Sequence, residues 1–417
     1  MKFGLRNIRR ILRRLGNPER KYRSIHVAGS NGKGSTAAML AAILTAAGYR
    51  TGLYTSPHLI SFTERIRIDG KSIPRGEVVR LASQIEPAVE RYGLTFFEAT
   101  TALAFKYFAD RKIDVAVVET GLGGRLDATN VLRPLASVIT EISLEHTRIL
   151  GNSVKKIAYE KAGIIKTNGL CVTGVTSSRG LRVIRETCRK RRARLVTVAS
   201  SDARVIRSTL RGSTILFGRG SIGGGEMFVS LPGLFQAENA AIALACLRKL
   251  GELGVLKVDE RAVRKGLSAV EELTGLRGRL SVLSGHPRLV VDVAHNPSAI
   301  RNLVSSLQHL GVVKVILLFG VMKDKQVSAM VKPLGTVVRK AVVVQPQTDR
   351  ACPAVDLVRI FRNRRIPVIE GGKVQKGLRR ARRAAGSMGT VLVTGSHFVV
   401  GEALAALEGK KYLTINQ

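Results

Sequence analysis

Tryptophan is absent from the 417 residues, and all aromatics together make up 5%. A base-stacking platform for single-stranded nucleic acid therefore has few rings to build on. Cysteine is scarce too. Cys171, Cys188, Cys246 and Cys352 stand far apart, with no CxxC pair and no zinc-ligand spacing, which argues against a disulfide scaffold and for buried thiols in a reducing compartment. No apolar run is long enough to cross a bilayer. The segment MKFGLRNIRRILRRLGN carries arginines through its apolar residues, so it lacks a signal-peptide core. Together these absences predict a soluble, cytoplasmic protein that needs no membrane.

Acidic residues are the other shortage. Asp and Glu number 30 against 68 Lys and Arg, for a formal charge of +38, an imbalance that repels itself and draws polyanions. Basic segments such as RNIRRILRR, CRKRRAR, FRNRR and KGLRRARR are too many to line one pocket. They read as a solvated basic surface or as a nucleic-acid footprint, although none carries an RNA-binding signature. With 45% apolar residues and this length, the chain is expected to form two globular domains.

Leu5, Ile8, Ile11, Leu12 and Leu15 fall at helical spacing, and Gly16, Asn17 and Pro18 end that helix. SIHVA at 24–28 is a short strand that runs into GSNGKGS and then the alanine-rich TAAMLAAILTAAG, ending at Gly48. IDVAVV at 113–118 and ASVIT at 136–140 are short and continuously apolar, as buried parallel strands are. After Lys166 the poorly periodic basic sequence, including CRKRRAR at 188–194 and GRGSIGGGE at 218–226, predicts an appended antiparallel region with exposed loops. A helix is expected over 234–250 and part of another over 263–267. TGLRGRL at 274–280 is the expected linker, and beyond it strands alternate with helical segments. The predicted division is an ATP-binding domain over 1–274, a linker over 275–281 and a smaller doubly wound domain over 282–417.

Strand, glycine turn and helix make a phosphate loop. Gly29, Gly32 and Gly34 let the backbone present its N–H groups, Lys33 can reach terminal phosphates, and Ser35 or Thr36 can ligate Mg²⁺. Gly34 between Lys33 and Ser35 departs from the strict GxxxxGK[ST] pattern. Glu119 at a strand end and Glu145–His146 after the next strand are candidate metal ligands. Asp292 and His295 follow RLVV, either as turn-capping residues or at the edge of a cleft.

AGSNGKGST, GLYTSPHLISFTERIRI, LTFFEATTALAF, VVETGLGGRLDATN, EHT, YEKAGIIK, DVAHNP and VTGSHFVVGE, in that order from about Leu15 to about Glu402, resemble folylpolyglutamate synthase and dihydrofolate synthase of the Mur ligase superfamily. The extra glycine after the lysine resembles this branch rather than the cell-wall Mur enzymes. The resemblance implies an α/β fold: a P-loop Mur-ligase-like ATPase domain with a parallel sheet, then a smaller Rossmann-like domain. It implies ATP and Mg²⁺ as cofactors, folate or dihydropteroate and L-glutamate as substrates, no specific nucleic acid, and a monomer. Residue by residue it implies metal binding by Ser56, Glu119 and His146, and a carbamylated Lys161. It implies nucleotide contacts at Gly32, Lys33, Gly34, Ser35, Asn239, Arg279 and Asp292, with His295 near the reacting phosphate.

Acceptor contacts map near 95–98 and 126–128. Phe96 and Phe97 offer ring faces unless they are core residues, Asp127 can accept from pterin nitrogens, and Ala128 lies beside it. The loop TSPHLISFTERI is expected to fold over nucleotide and acceptor. One departure lies close to the metal. Where the family shows Asp-His-Thr, an acidic residue and Leu-Gly-Asp, this chain has Glu145, His146, Thr147, Arg148, Ile149, Leu150, Gly151 and Asn152. The longer carboxylate keeps its charge, Arg148 reverses one, and Asn152 removes another. Open alternatives are a P-loop ATPase that binds nucleic acid and a related ligase for a non-folate acid.

Overall fold

In the computed structural model, which describes residues 4–218 and 220–412, the short apolar runs assemble into two parallel sheets joined by an irregular segment. The first sheet contains β1 (Arg23–Ala28), β2 (Thr51–Tyr54), β3 (Ile66–Ile68), β4 (Lys71–Ser72), β5 (Val115–Glu119), β6 (Ala136–Ile139), β7 (Leu170–Thr173) and β8 (Arg194–Thr197), in the order β4-β3-β2-β5-β1-β6-β7-β8. Strands β2 to β8 in that row run parallel, while β3 and β4 are antiparallel at one edge. The register pairs Val27 with Glu119 and Ala28 with Ile139. This brings the phosphate loop, Glu119 and the residues after β6 to one edge, where open α/β sheets gather ligands.

The helix Lys33–Ala46 follows β1 directly, and every residue from Gly34 to Leu44 is buried. A helix apolar all round needs cover on all sides, which the sheet and the helices Gln236–Glu252 and Glu260–Ser268 supply. The last of these comes so close that a Cβ on Gly266 would lie 2.5 Å from the Ile43 Cα. Truncating a core leucine here, such as Leu40, costs about 2–5 kcal/mol.

The expected antiparallel region after Lys166 is corrected in part. Strands β7 and β8 extend the parallel sheet, with the helix Ser178–Lys190 between them. CRKRRAR is the end of that helix running into β8 rather than an exposed loop. The helix buries only Gly180, Val183, Ile184 and Cys188, so arginines on its wet face hid the period. Antiparallel structure begins at β9 (Ala203–Thr209), which pairs with β10 (Gly212–Phe217) and through it β11 (Gly225–Val229). GRGSIGGGE joins the last two strands, and its Arg219 lies outside the described residues.

The second sheet contains β12 (Ser281–Leu283), β13 (Arg288–Val291), β14 (Val315–Phe319), β15 (Val338–Val344), β16 (Val368–Gly372) and β17 (Thr390–Thr394), in the order β12-β13-β17-β14-β15-β16. All are parallel except β12, which pairs antiparallel with β13. The stretch between the helix Val270–Thr274 and β12 is irregular, and its Gly275, Gly278 and Leu280 have positive φ. Leu59 and Ile60, from the loop after β2, pack into the core of this second lobe. No helix among the described residues is long and apolar enough to cross a membrane.

Candidate active site between the two lobes

The C-terminal strand edges of both sheets face a common cleft of about 1090 Å³. On the first lobe, Gly32 has φ 85°, and a Cβ there would lie 2.3 Å from Asn239 Oδ1. The loop can therefore lie against Asn239 only with glycine at this position. Lys33 Nζ donates to the carbonyls of Gly29 (2.9 Å) and Ser30 (3.2 Å), folded back on the loop it serves. Of the two hydroxyl candidates, Ser35 lines the cleft, whereas Thr36 is fully buried and donates to Asn239 Oδ1 at 3.5 Å.

Glu119 is 3% exposed, accepts the Ser56 N–H at 3.2 Å, and makes no ion pair among the described residues. Burial raises its pKa, against the pull of Lys33 and Arg279. Arg279, from the segment between the lobes, reaches to within 3.0 Å of where a Gly34 Cβ would stand. A buried, unpaired carboxylate beside a phosphate loop suits a hard divalent cation.

His146 follows Glu145 in a left-handed conformation, φ 44°. Burial and Lys325 lower its pKa to about 4, and do the same to His295. Donor atoms of Glu145, His146 and His295 lie within 4.8 Å of one another, although they come from different lobes. His295 donates Nδ1–H to the Val293 carbonyl at 2.9 Å, which leaves Nε2 as its free acceptor.

Lys161 is almost wholly buried, with Nζ 2.6 Å from Glu145 Oε1 and 2.6 Å from the Gly29 carbonyl. Burial pushes Lys161 toward the neutral amine, and Glu145 opposes it. Burial works against the charge of Glu145 as well, but Lys161 and Lys33 hold its carboxyl down at about 2. The sequence signalled each residue but not their pairing.

Asp292 both caps a turn and borders the cleft. Its oxygens accept from Ala294 and Leu280 at 2.8 Å each, tying the interlobe segment to β13. Burial raises it to about 6, with Arg279 opposing. Phe96 is 39% exposed and borders the cleft, while Phe97 packs against Tyr54, their ring centroids 6.2 Å apart. Asp127 lines the cleft, and its oxygens accept from the backbone of Leu122 (2.8 Å) and Thr129 (3.0 Å), shaping the loop. Ala128, 5% exposed, starts the short turn Ala128–Val131. The loop after β2 borders the cleft through Ser56, Pro57 and Arg65.

Three residues were missed. Arg65 is 1% exposed; it donates Nε–H to His58 Nδ1 at 2.8 Å, stacks 5.5 Å from the Phe96 centroid, and leaves Nη2 without a partner. His397 starts the helix His397–Leu407, its ring 5.3 Å from that of His295. Lys325, after β14, is the main cationic neighbour of both cleft histidines. A histidine at a helix start after a glycine turn was the one readable signal among them.

The Mur ligase middle domain matches residues 27–247 and the Mur ligase glutamate ligase domain matches 278–397. Dihydrofolate synthase/folylpolyglutamate synthase of Bacillus subtilis strain 168 is 36% identical over 378 residues, covering 86% of this chain and 84% of that one. Mycobacterium tuberculosis folylpolyglutamate synthase complexed with ADP and AMPPCP superposes with a TM-score of 0.88 at 33% identity, over 98% of this chain and 96% of that one. A bifunctional folylpolyglutamate synthase/dihydrofolate synthase with Mn, AMPPNP and L-glutamate bound gives 0.84 at 31% identity, over 98% and 95%. A P-loop sheet and a second α/β lobe that meet over one cleft thus recur with about a third of the residues unchanged, and the chain belongs to the dihydrofolate synthase/folylpolyglutamate synthase family of Mur ligases.

Proposed function

We infer that this chain is an ATP-dependent ligase, working in the cytoplasm, that joins L-glutamate to the carboxylate of a folate or dihydropteroate and releases ADP and phosphate. The observation that carries this reading is the shared cleft: the phosphate loop and Glu119 on one lobe, Asp292 and His295 on the other, with Arg279 between. The assignment divides the chain into 1–274 for ATP, 275–281 as hinge and 282–417 for the ligase lobe.

A carboxylate is a poor electrophile, so the terminal phosphate of ATP is first transferred to it. The glutamate amine then attacks the acyl phosphate, and inorganic phosphate leaves. Loop N–H groups and the N-terminus of the helix Lys33–Ala46 hold the polyphosphate, while Lys33 turns from its own carbonyls to the terminal phosphate. Ser56, Glu119 and His146 would hold Mg²⁺, which would supply charge neutralisation on the phosphates. Arg279 adds a cation from the hinge, so nucleotide binding is coupled to closure. Phe96 offers its exposed face to the acceptor's ring system, with Phe97, Asp127 and Ala128 shaping the wall behind. Lys323, Lys325 and Arg350 of the second lobe border the same cleft and provide cations for the carboxylates of the incoming amino acid. The neutral His295 Nε2 is an acceptor for the proton the amine must lose. Lys161 is assigned as the carbamylated lysine; its modification replaces a cation with an anion beside Glu145.

The test is phosphate release with ATP, Mg²⁺ and L-glutamate, comparing dihydropteroate, tetrahydrofolate and no acceptor, with ¹⁸O in the acceptor carboxylate. Acceptor-dependent release with label appearing in the phosphate is expected. Acceptor-independent release stimulated by RNA would overturn the reading.

A further inference from the structure

A ring of hydrogen bonds links the phosphate loop to the second lobe through side chains that the mechanism above does not use. Asn31, inside the loop, donates Nδ2–H to Glu141 Oε2 at 2.9 Å and accepts at Oδ1 from Asn296 Nδ2–H, also 2.9 Å. The other oxygen of Glu141 accepts from Ser298 Oγ–H at 2.8 Å. Glu141 and Asn31 belong to the first lobe, whereas Asn296 and Ser298 open the helix Pro297–His309 of the second.

Each group in the ring is held in one orientation. Asn296 Oδ1 accepts the Ala299 N–H at 2.8 Å as the helix cap, so its amide N–H₂ has to face Asn31. The Glu141 carbonyl accepts the Ser30 N–H at 2.7 Å, and Thr140 Oγ1 donates to the Asn31 carbonyl at 2.6 Å, fixing the loop to the end of β6. Asn31 thus donates to its own lobe and accepts from the other, while the Glu141 carboxylate spends one oxygen on each. The ring stands two residues from Lys33 and one from His295, and hydrogen bonds to a carboxylate are among the stronger ones.

We propose that Glu141 and Ser298, with Asn31 and Asn296, form a clasp that registers the second lobe on the phosphate loop and keeps the cleft shut while the acyl phosphate exists. The proposal rests on the ligase reading. An acyl phosphate in an open cleft meets water, and its hydrolysis spends ATP without making an amide. Glu141 and Ser298 are positioning residues: they touch no substrate and act through the loop and through the helix that follows His295.

The experiment compares wild type with Ser298→Ala, Glu141→Gln and the hydroxyl-retaining Ser298→Thr. Two quantities are read: phosphate released per amide formed, and the compaction seen by small-angle scattering when a non-hydrolysable ATP analogue binds. Losing one hydrogen bond to a charged group shifts the closed–open balance by roughly tenfold or more. Ser298→Ala and Glu141→Gln are therefore expected to raise the phosphate-to-amide ratio several-fold and to reduce compaction, with the KM for ATP little changed and Ser298→Thr close to wild type. A role confined to helix stability would lower the melting temperature and leave the ratio alone. Unchanged ratio and compaction in Ser298→Ala and Glu141→Gln overturn the clasp. If wild type forms no amide with either acceptor, the ligase reading fails instead, and the scattering arm still decides whether these residues hold the lobes together.

Discussion

The two lobes use the same architectural rule and spend it on different chemistry. In each, the working residues lie at or after the C-terminal ends of parallel strands: Glu119 ends β5, Gly29 and Glu141 follow β1 and β6, and Asp292, Lys325 and His397 follow β13, β14 and β17. The first lobe meets its ligand with main-chain N–H groups, one lysine, a buried carboxylate and the His146 imidazole. The second brings imidazoles held neutral by burial and several exposed or half-exposed cations. Neither half holds the whole set, and the cleft is complete only where the two lobes meet.

The sharpest way to break this division is Lys33→Ala. Among the described residues Lys33 bonds only to two carbonyls of its own loop, so its loss should leave the melting temperature nearly unchanged while kcat falls by about 10²–10³, the range for a deleted donor to the transition state. Near-normal turnover would return the glycine turn to a purely structural role. Lys161→Ala is expected to come next. Relative to the unmodified lysine it strands Glu145 in the interior, which costs about 3–5 kcal/mol for a buried pair broken on one side, and it removes the amine that CO₂ would modify. Short carboxylic acids added to this variant should restore part of the turnover without restoring the melting temperature. Full activity without rescue would show that no carboxylate is needed at that position.

How far these features could be read from the sequence depended on how local they are. The phosphate loop and the strands 113–118 and 136–140 were legible because a strand covered on both faces needs an unbroken apolar run. The helix Phe96–Asp110 was not placed, although Thr95 and Glu98 form a capping box at its start, with Glu98 Oε2 accepting the Thr95 N–H at 2.8 Å. Residues 170–197 were misread because β8 is a half-exposed edge strand and the helix before it is mostly basic outside its buried stripe. At the site, single residues were legible and their partners were not. Glu145 meets Lys161 only because the helix Val154–Ala162 lies against the loop after β6, and Ser298 meets Glu141 across 157 positions of chain. Arg65 looked like one more of many arginines until its burial against Phe96 set it apart.

The smallest expected effect contrasts two buried glutamates, one in each lobe, by the sign of a titration. Glu402, in the helix His397–Leu407 of the second lobe, is 6% exposed and accepts the Gln347 N–H at 2.6 Å. Burial outweighs that hydrogen bond and raises its pKa from an ordinary 4.5 to about 7. Between those values the folded chain holds a proton that the unfolded chain has released, so the contribution of this residue to stability falls as pH rises through the window and is flat above it. Glu402→Gln keeps the acceptor oxygen and cannot ionise. Its melting temperature should match wild type near pH 4 and exceed it by a few degrees at pH 8. Glu145 in the first lobe runs the other way while Lys161 is unmodified: held down to about 2 by Lys161 and Lys33 despite burial, its contribution is complete above the ordinary glutamate range and is lost as pH falls toward 2. Melting curves of wild type and Glu402→Gln across pH would therefore assign part of the alkaline loss to Glu402 and leave the acid loss at Glu145 untouched; a variant that melts no higher than wild type at pH 8 would mean that Glu402 is already solvated.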